Sequence, residues 1–157
     1  MTELPNAKND WEKKILSCIE SSGYFLMGVN SDGIDPRYLY SIGLWHSQQH
    51  PEFIVFGLHN DAAAHVGRAV SQKIVDGHRY RHGEIDESLL DGYQCMFLEV
   101  PNSQTWRWML SDNWLYGKEG FPVFQIVFQD EDHHWPWTHN APIKFLENQP
   151  VIGRMPR

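Results

Sequence analysis

Apolar side chains recur near the start of the chain with a helical period and then with a strand-like one. Trp11, Ile15, Leu16 and Ile19 stand at i, i+4, i+5 and i+8, the stripe of an amphipathic helix. Asn9 and Glu12 precede that stripe at the spacing of a capping box, and Gly23 ends it. Residues 24–30 and 37–44 are rich in aromatic and β-branched side chains and flank Ser31-Asp32-Gly33-Ile34-Asp35-Pro36. Turn residues between two such runs predict a hairpin. A loop over residues 45–52 leads into residues 53–58, which are apolar on both faces, as in a central strand covered on both sides.

A second helix is predicted from a cap at Asn60 or Asp61 to about Asp76, with Val66, Ala69, Val70 and Ile74 on its buried face and Gly77 as its stop. Residues 78–91 are polar and read as a loop or a short irregular strand. Residues 93–100 form a fourth strand that Pro101 closes. A third helix, capped by Asn102 or Ser103, carries Trp106, Leu110 and Trp114 at i, i+4 and i+8. On that stripe Trp106 and Trp114 face the core and Trp108 faces away, toward solvent. Residues 121–129 form a further strand, with Pro122 at its start where a missing N–H is tolerated.

Consecutive strands followed by interspersed helices predict the α+β class. The expected architecture is a mainly antiparallel five- to six-stranded sheet or a small split barrel, with about three helices. Residues 1–8 read as a polar tail. Residues 9–157 read as one domain, with a proline-rich coil from about residue 130.

Composition narrows the class. The 157 residues are 41% hydrophobic and 21% charged, enough apolar content to build a core. Thirteen Lys and Arg against twenty Asp and Glu give a formal charge of −7, which argues against a dedicated nucleic-acid binder and suits a basic protein partner. No apolar stretch approaches the roughly 20 residues that span a bilayer, and no signal-like start is present. A cytoplasmic protein with no membrane association is the expectation. Cys18 and Cys95 lie within apolar patterns and read as buried thiols.

Nine histidines are the chemically reactive feature, and most fall in predicted loops or at element ends. A catalytic reading draws on His59, His78, His82 and Glu84, with one imidazole as general base. His78 and His82 are four apart, a metal-ligand spacing on a helix, but Gly77 and Gly83 oppose a helix there. His133 and His134, beside Asp130-Glu131-Asp132, are the other metal-capable groups. A solvated turn is the simpler reading of that segment. Cys95 sits in mid-strand and Ser41 lacks a nucleophile elbow. No cofactor signature is present, and FMN and a divalent metal stay open as alternatives.

Tyr40-Ser41-Ile42-Gly43-Leu44, His50-Pro51-Glu52-Phe53, Gly57-Leu58 and Gly77 resemble motifs of a bacterial domain-of-unknown-function family, DUF4262. The resemblance continues through Phe121-Pro122-Val123-Phe124-Gln125, Asp130, Trp135-Pro136-Trp137 and Gln149-Pro150, covering residues 11 to 153 or so. It implies a coherent domain and no reaction. The succession of Gly28, residues 39–44 and residues 52–58 ahead of a helix is also similar to flavin-reductase-like split barrels, a likeness of architecture alone.

Two functions follow as expectations. The first is a small acidic protein-binding module, in its finer form an immunity or inhibitor protein against a basic toxin. Its partner-binding candidates are Trp108, Asp130, Glu131, Asp132, Trp135 and Trp137. The alternative role for Trp135 and Trp137 is to clamp the tail onto the domain. The second function is a metal- or flavin-dependent small-molecule enzyme using the loop histidines.

Overall fold

A computed structural model describes residues 3–156. Helix α1 (Asp10–Ser22) is capped as its sequence dictates. The Asn9 side chain accepts from the Glu12 N–H at 2.8 Å, the Glu12 carboxylate accepts from the Lys8 N–H at 2.8 Å, and Gly23 closes the helix at φ 92°. Strands β1 (Phe25–Val29) and β2 (Tyr38–Ile42) form the expected hairpin. The segment expected as a loop contains a short helix, α2 (Leu44–Gln48). Next come β3 (Glu52–Phe56) and α3 (Asn60–Val75), whose N-cap is His59 with no side-chain capping bond, one residue ahead of Asn60 and two ahead of Asp61, the expected caps. Strands β4 (Ile85–Leu90) and β5 (Tyr93–Glu99) precede two short helices, α4 (Asn102–Thr105) and α5 (Leu110–Tyr116). Strand β6 (Val123–Phe128) and helix α6 (Ile143–Asn148) complete the set.

The six strands form one sheet in the order β1-β2-β3-β6-β5-β4. The chain is therefore α+β, as expected. The sheet is mixed: β3 and β6 pair in parallel and the other neighbours antiparallel. It is open, with β1 and β4 at its edges, so the barrel alternative is not realised.

Both faces of the sheet are buried. On one, α3 lays Val66, Val70 and Ile74 over Leu39, Phe53, Val55, Phe97 and Ile126. Gly67 brings that helix close, since a Cβ there would lie 3.0 Å from the side chains of Leu26 and Leu39. On the other face, α1 and α5 cover Tyr40, Ile42, Ile54, Phe56 and Val123. The rest of this face, Met96, Leu98 and Val127, is covered by Trp135, Trp137 and Val151 of the C-terminal segment. The two indoles stack at 5.4 Å, so they clamp the tail. Gln125 anchors the same segment, donating to the Pro150 carbonyl and accepting from the Ile152 and Gly153 N–H groups. Among the described residues no helix is long and apolar enough to cross a membrane.

The third helix departs from expectation. The chain bends at Met109 (φ −110°, ψ 62°), so Trp106, Leu110 and Trp114 do not share one face. Trp106 is 74% exposed, Leu110 is exposed and Trp114 is half-buried, whereas Trp108 is buried. The expected exposure of Trp106 and Trp108 is thus reversed. The Trp108 ring meets Phe56 edge-on at 4.9 Å and Tyr38 at 5.3 Å, beneath the Arg107 guanidinium. The free energy of burying an indole against the sheet outweighs helical continuity in a segment of modest propensity.

Candidate functional site: an apolar cleft with an acidic rim

A cleft of about 500 Å3 opens where α3 begins, where β6 ends and where β4 turns into β5. Its walls are apolar: Leu58, Ala62, Leu90, Phe128, Pro142 and Phe145. Gln149 and Gly57 position the wall made by α6, and Gln129 holds the loop beside it. The Gln149 side chain pairs with the Phe128 backbone in both directions, accepting its N–H at 2.9 Å and donating to its carbonyl at 3.0 Å. Gln129, also buried, accepts from the Gln94 N–H and donates to the His133 carbonyl. Gly57 has φ 80°, and a Cβ there would fall 2.5 Å from the Asn148 carbonyl oxygen. The C-terminal end of α6 therefore rests directly on the backbone of residue 57. Phe145 from α6 meets Phe128 at 6.0 Å across the cleft, while Ile143 and Leu146 stay exposed on the same helix.

The rim is the tight loop after β6, organised by one carboxylate. Asp130 Oδ1 accepts from the Asp132 and His134 N–H groups, and Oδ2 lies 3.1 Å from His134 Nδ1. Slight desolvation opposes ionisation of Asp130, but its bonds with His134 outweigh this and hold the carboxyl below the usual carboxylate range. The loop passes through a left-handed residue, His133, at φ 63°, a conformation uncommon outside glycine. The outcome is asymmetric. Asp130 is occupied inside the loop, whereas Glu131 and Asp132 are exposed, and neither side chain has a hydrogen bond or ion pair among the described residues. Both line the cleft beside its apolar wall.

A second carboxylate group lies on the opposite face of the sheet and is entirely buried. Glu52 opens β3, and its carboxylate accepts from the Gly43, Leu44 and Trp45 N–H groups at 2.9, 3.1 and 3.2 Å. It also accepts from the Ser41 hydroxyl at 2.8 Å and from the Tyr116 hydroxyl. Asp112 of α5 is as deeply buried, yet neither of its oxygens has a hydrogen-bond partner. Burial, reinforced by the charge of Glu52, pushes the Asp112 carboxyl well up. Burial also pushes Glu52 up, while Tyr116, Ser41 and the backbone donors pull it back. With five donors converging on Glu52 and none on Asp112, the pair carries its proton on Asp112. Both side chains are fully buried, and through Glu52 the group ties β2, α2 and α5 to the start of β3.

Of the side chains expected to carry chemistry, the structure brings His78 and Glu84 together. His78 Nε2 meets Glu84 at 2.7 Å on the surface. His82 Nδ1 accepts from the Glu99 N–H, and His59 is exposed at the start of α3. His133 packs near the Tyr93 ring, and His134 is tied to Asp130. Among the described residues, no group of three or more His, Cys, Asp or Glu side chains is placed to hold a metal ion. The buried histidine is His50. Its Nδ1–H donates to the Pro51 carbonyl and its Nε2 accepts from the Tyr80 N–H, a neutral ring used as a bracket, and burial lowers its pKa.

The residues missing from the expected site are Leu58, Phe128 and Phe145. Their apolar character read as core or tail, and no local signal marks an apolar residue as lining an open cleft. Glu52 had a signal: it leads an apolar run expected to be covered on both sides.

A family model described as a domain of unknown function, DUF4262, matches residues 18–142. Neither the curated proteins nor the solved structures include a match to this chain. Nothing in these comparisons carries the similarity to flavin-reductase-like split barrels.

Proposed function

Since the chain belongs to DUF4262, a family whose description assigns no activity, we propose from the cleft itself that the protein is a binding module for a basic partner. The ligand is a segment of protein that places an apolar side chain between Phe128 and Phe145 and a Lys or Arg against Glu131 and Asp132. The observation that carries this reading is that an apolar cleft and two unpaired carboxylates share one rim. An aromatic or aliphatic anchor supplies affinity in a desolvated slot, and the charges steer and orient the partner. The net charge of −7 acts in the same direction at long range. An inhibitor or immunity protein against a basic toxin is the finer form of this reading.

The test uses labelled peptides with a central Phe flanked by lysines, compared with the same peptides flanked by glutamates, in fluorescence anisotropy. The basic peptide is expected to bind, to weaken with added salt and to lose affinity to the variants Phe145→Asp and Glu131→Lys with Asp132→Lys. Equal binding of the basic and acidic peptides, or binding that these variants leave intact, overturns the reading.

A further inference from the structure

The two edges of the sheet are built in opposite ways. The β4 edge carries Asp86 and Glu87, and its register with β5 is broken between Asp86 and Leu90. Charges and irregularities of this kind keep a second strand from adding. The β1 edge, Phe25-Leu26-Met27-Gly28-Val29, has no charge and no proline, and its register with β2 is unbroken over all five residues. Among the described residues, no hydrogen bond from its backbone goes anywhere but to β2.

Gly28 adds a separate observation. Gly43, Gly57, Gly67 and Gly153 are each required by a close neighbour, but nothing lies within 4 Å of a Cβ built at Gly28, and its φ is not positive. The protomer gives no reason for glycine there. Glycine in a strand often marks a bulge, a bend or the close approach of a ligand or another backbone, and the unbroken register of β1 with β2 has no bulge.

We infer that β1 pairs antiparallel with β1 of a second copy about a twofold axis at Met27, joining the two six-stranded sheets. The pairing is self-complementary, as an isologous interface requires. It sets Phe25 against the partner's Val29 and Met27 against the partner's Met27. On the α3 face it sets Leu26, which is half-buried, into the space left by the partner's Gly28. Trp11 is 47% exposed and lies edge-on to Phe25 at 5.5 Å, so it supplies an aromatic flank to the same interface. Each copy carries −7, so added salt strengthens this association, whereas it weakens binding of a basic partner at the cleft. The two readings therefore fail separately.

The experiment is sedimentation velocity over a concentration series, with hydrogen exchange on the same samples. The wild type is expected to move with concentration from 18.4 kDa to twice that mass, and the amides of β1 to gain protection as it does so. Gly28→Lys places like charges across the axis without touching a neighbour in the protomer. It is expected to remain monomeric at every concentration and to keep a cooperative thermal transition like that of the dilute wild type, while Glu87→Lys on the opposite edge still dimerises. A wild type that stays monomeric throughout, or a dimer that Gly28→Lys leaves intact, overturns the inference.

Discussion

The Glu52–Asp112 group and the Asp130–Asp132 loop are both clusters of carboxylates, and they distribute their hydrogen bonds in opposite ways. Within the fold, Glu52 gathers five donors and Asp112 none. In the loop, Asp130 gathers the donors and leaves Glu131 and Asp132 to solvent. An unsatisfied carboxyl inside the protein is forced to stay protonated, because ionising it there costs far more than keeping the proton. The same unsatisfied group at the surface remains charged, and its field is available to a partner. Carboxylates by themselves thus say little about function, whereas the location of their unmet hydrogen bonds says a good deal.

The largest effect on this contrast is expected from Glu52→Ala. It orphans three backbone N–H groups and two hydroxyls in the interior, at about 1–3 kcal/mol for each buried group. Native stabilities are roughly 5–15 kcal/mol, so the variant is expected not to fold, read by loss of the near-ultraviolet circular dichroism signal. A folded, cooperative variant would show that the cradle is not what holds α2 on the sheet.

Next is Asp112→Asn, which is expected to stabilise the protein at neutral pH, read as a higher midpoint in urea denaturation. The folded carboxyl titrates above its unfolded value, so its contribution is fully present below about pH 3.9. That contribution is lost as pH rises toward the folded pKa. The advantage of the Asn variant should therefore widen as pH rises. Asp130→Asn should behave in the opposite sense. Its folded pKa is depressed, so wild-type stability from this group is present above about pH 3.9 and lost as pH falls. The deficit of that variant should vanish in acid. Parallel pH profiles for the two variants would remove the distinction between the two carboxylate groups.

Gly57→Ala sharpens the comparison from the cleft side. A Cβ against the Asn148 carbonyl, at positive φ, is expected to lower stability by about 1–3 kcal/mol and to weaken the basic Phe-centred peptide by displacing α6. Retained affinity would separate α6 from the binding wall. The smallest effect concerns Cys95, whose thiol burial pushes up to about 12. It should resist a thiol reagent in the native state and react on unfolding, whereas half-buried Cys18 should react first.

Much of the architecture was legible in the chain because it rests on short-range rules. The capping of α1 by Asn9, its stop at Gly23, the hairpin of β1 and β2, the doubly covered β3 and the α3 stripe each follow from side chains within a few residues of one another. The break at Met109 was not legible, because it depends on the Trp108 indole finding Phe56 and Tyr38, which are distant in sequence. Helix α2 was hidden for a related reason: its first turn is held by the carboxylate of Glu52, eight residues beyond Leu44.

Of the site, only the acidic run Asp130-Glu131-Asp132 could be read in advance, since exposed charge after a strand is a local property. The sequence by itself determined the fold class, the acidic character and the rim. Tertiary structure alone decided that His78 pairs with Glu84 and that Asp112 keeps a proton. It also decided that residues as far apart as Leu58, Leu90, Phe128 and Phe145 share one cleft. The physical reason is that apolar burial is non-directional. The pattern says which side chains leave water, and only packing determines which of them face each other and which are left lining an opening.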